Sequence, residues 1–261
     1  MNRKLWLIAV CSTLLAAAAS GQNAPAASTN ADSANACVRK GTEFINHQKP
    51  AEALKAFEQA SALQPHNEQA AIGQYISLVQ LNRVNDGAKV LDNWVAAKPD
   101  DPRRWFCRAM AEAQTDRPEA ALKSFEKLTE LQPNEGGNWV GKGEMLAALK
   151  RDDEALKAFD KAITLNPKHE AAWNNRGGVL LKFGKYDEAI QSYDKSINLA
   201  PKWEDSFYYR ACAYAGKGDK TNALADLKKA IELQPSLKAG AVKEAYFKSL
   251  LDDPDFKKLT E

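Results

Sequence analysis

Apolar residues recur along the chain at helical rather than strand spacing. In "AAWNNRGGVLLKFGKYDEAIQSYDKSINLAP", Trp173, Gly177 and Leu180 make one stripe, and Ala189, Tyr193 and Ile197 make a second. Steps of three and four residues place each set on one face of an α-helix. Between the stripes lies "FGKYDE", where Gly184 can end the first helix, and Pro201 forces a break after the second. The stretch therefore predicts a helix–turn–helix.

The same unit recurs. Pro65, Pro99, Pro133, Pro167, Pro201 and Pro235 are spaced by 34 residues, which divides the chain into six blocks without insertion or deletion: 34–67, 68–101, 102–135, 136–169, 170–203 and 204–237. Position four of the blocks holds Cys37, Ala71, Trp105, Trp139, Trp173 and Phe207; position eight holds Gly41, Tyr75, Ala109, Gly143, Gly177 and Ala211. Position twenty is Ala except for Gly87, and position twenty-four holds Phe57, Leu91, Phe125, Phe159, Tyr193 and Leu227. Small residues let two helices approach, and large ones fill the space beside them. One pair cannot bury its own apolar faces, so each pair must stack on the next.

Six in-register copies of this pattern, with Trp173, Gly177, Leu180, Ala189, Tyr193 and Pro201 in their columns, resemble the tetratricopeptide repeat over residues 34–237. The seventh column departs from that family, with Lys40, Gln74, Arg108, Lys142, Arg176 and Arg210 where Leu is usual. The resemblance implies an all-α fold: a right-handed superhelical solenoid of antiparallel helix pairs, first helices lining a concave groove, with a C-terminal capping helix.

Two features refine this expectation. Block two carries Tyr75 in place of a small residue, together with Gly87 and Trp94, which reads as a compensating exchange of volume. Cations at column seven accompany acids at column twenty-five within blocks one, three, four and five, as in Arg176 with Asp194, which predicts a ladder of ion pairs inside the hairpins.

The ends have other compositions. "MNRKLWLIAVCSTLLAAAASGQ" has Arg3 and Lys4, an uncharged run and then small residues, the layout of a secretory signal peptide over residues 1–21. Residues 22–33 are small and polar and predict a flexible leader. After Leu237 the chain is expected to continue as a helix to about Leu251, with Val242, Ala245, Tyr246 and Leu250 on the open face of block six. Asp253 would then cap a short turn beginning at Pro254, with Phe256 and Leu259 tucked back.

Charge and chemistry narrow the function. Removing Arg3 and Lys4 with the signal peptide leaves 34 basic against 34 acidic residues, so nothing draws the chain to nucleic acid or to a membrane surface. No stable membrane insertion is expected after signal cleavage. Cys37, Cys107 and Cys212 are sparse and lie on separate helices, as small apolar fillers. "GGNWVGKGE" has the glycines of a phosphate loop, but Gly143 follows its Lys where Ser or Thr is required, and a helix rather than a strand precedes it. No metal-ligand spacing or nucleophile elbow occurs. The expectation is no enzyme, no cofactor and no metal.

The groove columns that the resemblance implies supply the candidate partner-binding residues: Val38, Thr42, Ile45, Ile72, Ile76, Val79, Phe106, Met110, Val140, Asn174 and Tyr208. Blocks one to three would present an apolar strip, unless its members are inter-helix filler; blocks five and six would present a polar stretch with Asn174, Asn175, Tyr208 and Tyr209. A clamp for a partner's terminal carboxylate does not fit, because Val38, Thr42, Gly73 and Cys107 stand at its positions and Arg103 alone matches. The expected function is an exported adaptor, periplasmic or secreted, holding a protein or peptide segment in an envelope complex. The alternative is a homo-oligomeric scaffold in which one protomer's terminus fills another's groove.

Overall fold

The computed structural model describes residues 29–261, and among them every regular element is helical. The expected signal peptide and residues 22–28 of the expected leader lie outside the described residues. The chain divides into two compact units, with the boundary between Leu131 and Gln132.

The first unit holds α1 (Thr29–Asn46), α2 (Pro50–Leu63), α3 (Glu68–Gln80), α4 (Val84–Ala96), α5 (Pro102–Gln114) and α6 (Pro118–Leu131). The second holds α7 (Gly136–Ala148), α8 (Asp152–Leu165), α9 (Glu170–Lys182), α10 (Tyr186–Leu199), α11 (Glu204–Lys217) and α12 (Lys220–Leu233), followed by α13 (Lys238–Ala241) and α14 (Pro254–Thr260). Each 34-residue block is one hairpin, as its spacing predicts. Helix α1 reaches back to Thr29, so the last residues of the expected leader are helical. Ala34 and Val38 are buried, and once that face is fixed the preceding Ala and Ser residues extend the helix at little cost.

All six hairpins turn in the same way. A residue one or two positions past the first helix has positive φ in every block: Gln48, Asn82, Asp116, Lys150, Gly184 and Gly218. The next amide then closes a bond to a carbonyl five residues back, as Arg151 N does to Leu146 O at 2.9 Å and Lys185 N to Leu180 O at 3.0 Å. This is the Schellman geometry, which satisfies helix-end carbonyls. The block prolines have a second use beyond breaking helices. The indole N–H of Trp105 donates to Pro99 O at 2.7 Å, and those of Trp139 and Trp173 donate to Pro133 O and Pro167 O at 2.9 Å.

Within the hairpins the small and large columns meet as expected. A methyl on Gly143 would lie 2.5 Å from the Phe159 ring, and one on Gly177 would lie 2.8 Å from the Tyr193 ring. Block two reverses the arrangement: Tyr75 is buried, and a methyl at Gly87 would come within 3.0 Å of it. Trp94 is buried too, with the Arg104 guanidinium 5.0 Å from its ring. Both aromatics of block two are therefore core residues.

The ion-pair ladder exists but is shifted by one block. Arg108 pairs with Asp92 at 2.7 Å, Arg176 with Asp160 at 2.7 Å and Arg210 with Asp194 at 2.5 Å. Each cation thus reaches the second helix of the preceding block, and Arg210 also pairs with Asp226 on the second helix of its own block at 2.6 Å. The reason is in the stacking: column seven faces the seam between hairpins. The shift also accounts for Lys228, whose column has no following block to receive an acid. Gln74 instead donates to Phe57 O at 3.2 Å and Ser61 Oγ at 2.6 Å.

The segment after Leu237 is not the continuous helix expected. It breaks into a 3₁₀ turn at Pro235–Leu237, α13, a 3₁₀ turn at Ala245–Leu250 and α14. The break turns Phe247 into the core against Tyr208 and Phe256, with ring centroids 5.9 and 5.7 Å away, and leaves Val242 and Ala245 exposed. Asp253 caps α14 by accepting from the amides of Asp255 and Phe256, and it pairs with Lys220 of block six. Phe256 is buried and Leu259 packs against the same cluster, as anticipated.

Candidate functional site

The eleven groove candidates separate by environment. Val38, Ile45, Ile72 and Ile76 belong to the buried core of the first unit, and Val140, Asn174 and Tyr208 are buried in the second. Thr42, Val79 and Met110 are half-buried, and Phe106 is 43% exposed. The apolar strip of blocks one to three is therefore largely inter-helix packing, not an open face. Columns that are chemically alike can sit on the groove or in the seam, and apolar character alone does not distinguish them.

The second unit contains a cavity of about 400 Å³ on the columns that the groove was expected to use. Its walls come from Glu144 and Ala147 of α7, Asn174, Asn175, Gly178 and Lys182 of α9, and Tyr209 of α11; Glu244 and Tyr246 of the C-terminal segment complete them. The polar stretch of blocks five and six thus contributes Asn174, Asn175 and Tyr209, whereas Tyr208 turns into the core against Phe247.

Helix spacing fixes these side chains. Asn174 and Gly178 stand one turn apart on α9, and Gly178 opens the space: a methyl there would lie 3.8 Å from the Tyr193 hydroxyl. Ser206 Oγ donates to Asn174 Oδ1 at 3.0 Å and contacts Ser196 Oγ at 2.9 Å, which orients the Asn174 amide. Asn175 Nδ2 donates to Glu144 Oε1 at 2.8 Å, and the Tyr246 hydroxyl donates to Leu181 O at 3.2 Å. Lys182 is engaged by Asp152 at 3.0 Å.

The Tyr193 hydroxyl is the unsatisfied element. Its residue is 0% exposed, and that oxygen has no hydrogen-bond partner in the protein. Burial, with the charges of Cys212, Tyr209 and Tyr246 adding to it, keeps this phenol protonated far above its ordinary range. Burial among the cavity side chains raises the carboxyl pKa of Glu144; the Asn175 bond and the His169 charge act in the other direction. A buried phenol without a partner is costly unless something supplies one. Neither the cavity nor Tyr193 is legible from the groove columns alone, because Tyr193 lies in column twenty-four, read as core, and the C-terminal wall comes from outside the repeats.

Among the described residues no group of three or more His, Cys, Asp or Glu side chains could hold a metal, and no helix is long and apolar enough to cross a membrane. The three described cysteines are free; Cys107 and Cys212 are buried. The glycines of "GGNWVGKGE" lie in α7, a helix that follows a helix.

Family models described as tetratricopeptide repeat match residues 45–114, 108–170, 153–203 and 205–237. No curated protein matches the chain. Among solved structures, one titled as the functional characterization of Pseudomonas aeruginosa pilF is similar with a TM-score of 0.57 at 14% identity, over 88% of this chain and 98% of that one. YrrB, described as a TPR protein with an unusual peptide-binding site, is similar with a TM-score of 0.52 at 23% identity, over 73% of this chain and 100% of its own. A double mutant of MamA from RS-1 gives a TM-score of 0.54 at 18% identity, over 80% of this chain and 98% of its own. These likenesses concern the fold.

Proposed function

This chain belongs to the tetratricopeptide repeat family, and we propose that it is a non-enzymatic scaffold that anchors a segment of a partner protein in the cavity of its second unit. One observation carries this reading: the cavity combines oriented amides at Asn174 and Asn175 with a buried, unpartnered hydroxyl at Tyr193. A peptide segment offers backbone and side-chain polar groups to both, and its ordering cost is offset by seating in a preformed site. The peptide-binding site ascribed to YrrB is in keeping with this use of the fold. The Arg3-Lys4 and uncharged run of residues 1–21 supports export, which would place the scaffold in an envelope or secreted assembly.

The test fills the cavity. Gly178→Leu projects a side chain into it from a position with nothing but the Tyr193 hydroxyl within 4 Å. Cross-linked partner recovered from an envelope fraction should fall at least about tenfold, the loss expected when a seated segment is displaced from its pocket. Phe106→Asp, on the exposed residue of the first unit, should leave recovery unchanged. Equal recovery by wild type and Gly178→Leu would sink the proposal.

A further inference from the structure

The cavity's lining is acidic and aromatic. Glu144 comes from the first helix of block four and Glu244 from the C-terminal segment. Phe159, Tyr193, Tyr209 and Tyr246 supply rings, with Tyr193 and Tyr209 stacked at a centroid distance of 6.4 Å and an interplanar angle of 21°. The one cation in the lining, Lys182, is already held by Asp152. Carboxylates and the negative faces of aromatic rings attract the same kind of ligand.

We propose that this cavity is a receptor for a cationic side chain, arginine or lysine, carried by the bound partner segment. The inference rests on the partner-binding reading above and specifies its chemistry. The ligand's N–H groups would donate to Glu144, Glu244 and the unpartnered Tyr193 oxygen, while its charge lies against Tyr209 or Tyr246. An anionic group would meet two carboxylates and no free cation. A neutral apolar group would leave the Tyr193 hydroxyl unsatisfied and would strip water from Glu144 without compensation. The protonation of the surrounding groups agrees: burial raises the pKa of Tyr209, Tyr246 and Cys212, and the Glu244 charge raises each further.

The experiment selects random peptides displayed on phage against the purified chain and against its Glu144→Gln/Glu244→Gln variant. Arg or Lys should be enriched at one position with wild type, and that enrichment should disappear with the variant. A synthetic selected peptide should bind wild type at least about tenfold more tightly than its Arg→Gln analogue, and the variant should lose that preference. Tyr209→Leu, a change at an exposed ring, should weaken the Arg peptide also, with the melting temperature of each variant confirming the fold. Peptides selected without a basic residue, or a basic preference that survives in the variant, overturn the cation receptor while the scaffold reading stands. Failure to select any peptide overturns both.

Discussion

One residue per block decides how each hairpin turns, and in four of the six it is not glycine. Gly184 and Gly218 adopt positive φ freely, whereas Gln48, Asn82, Asp116 and Lys150 carry a Cβ into the same left-handed region. That conformation costs a non-glycine residue about 1–2 kcal/mol, and glycine's greater freedom in the unfolded chain returns about 0.5–1 kcal/mol of it. Lys150 is exposed and has no packing to lose. Lys150→Gly should therefore stabilise the second unit by about 0.5–1 kcal/mol, seen as a rise of about 2–4 °C in the midpoint of its thermal unfolding. A lower midpoint would show that the Schellman geometry at this turn is not limited by φ. The sequence discloses the turn through Gly184 but hides its recurrence, because the other four blocks fill the position with ordinary polar residues.

At the scale of helices, the seam between neighbouring hairpins is held by charges that the sequence makes visible but misassigns. Column seven is mostly cationic and column twenty-five mostly acidic, yet the period alone does not say whether they meet within a block or across two. The structure decides for the cross-block pairing, and Arg108 shows why that matters. Its guanidinium reaches Asp92 of the preceding block at 2.7 Å and Glu112 of its own helix at 3.1 Å. Glu112 is 0% exposed, and its other oxygen accepts from Ser124 at 3.0 Å. The exposed Asp92 contact contributes at most about 1 kcal/mol. Removing the cation beside Glu112 leaves a buried carboxylate short of a partner, which costs about 3–5 kcal/mol. Arg108→Met should thus destabilise the first unit severely, while Asp92→Asn should cost under about 1 kcal/mol. Adding Glu112→Gln to Arg108→Met should recover part of the loss in denaturant unfolding, because it removes the uncompensated charge. If the two single variants cost the same, the buried carboxylate is not the reason for the arginine.

Across the whole chain, what was legible in the sequence tracks the repeat. The helix pairs and the meeting of their small and large columns follow from local rules that recur in each block, and the exchange at Tyr75 and Gly87 is a local variation on them. The C-terminal segment follows no such rule: Phe247 enters the core only because the chain abandons a straight helix after Ala241, a choice set by the shape of the exposed end of block six. Its aromatic contact with Tyr208 couples that segment to the cluster containing Cys212. Among the described residues each unit holds one buried thiol, Cys107 in the first and Cys212 in the second. Burial and the Glu68 carboxylate push the Cys107 thiol up to about 12, and burial with the Glu244 charge raises Cys212 as well. Only the thiolate alkylates, so at neutral pH both thiols should react on the order of a thousandfold more slowly than an unperturbed cysteine, and chiefly through opening of their unit. Phe247→Ala removes a fully buried ring and should cost about 3–5 kcal/mol locally. Alkylation of Cys212 should accelerate far more than that of Cys107, which peptide mass spectrometry of a timed iodoacetamide reaction resolves. Equal acceleration of both would mean that the C-terminal segment stabilises the chain as a whole, and no change at Cys212 would mean that this segment is not part of the cooperative unit at all.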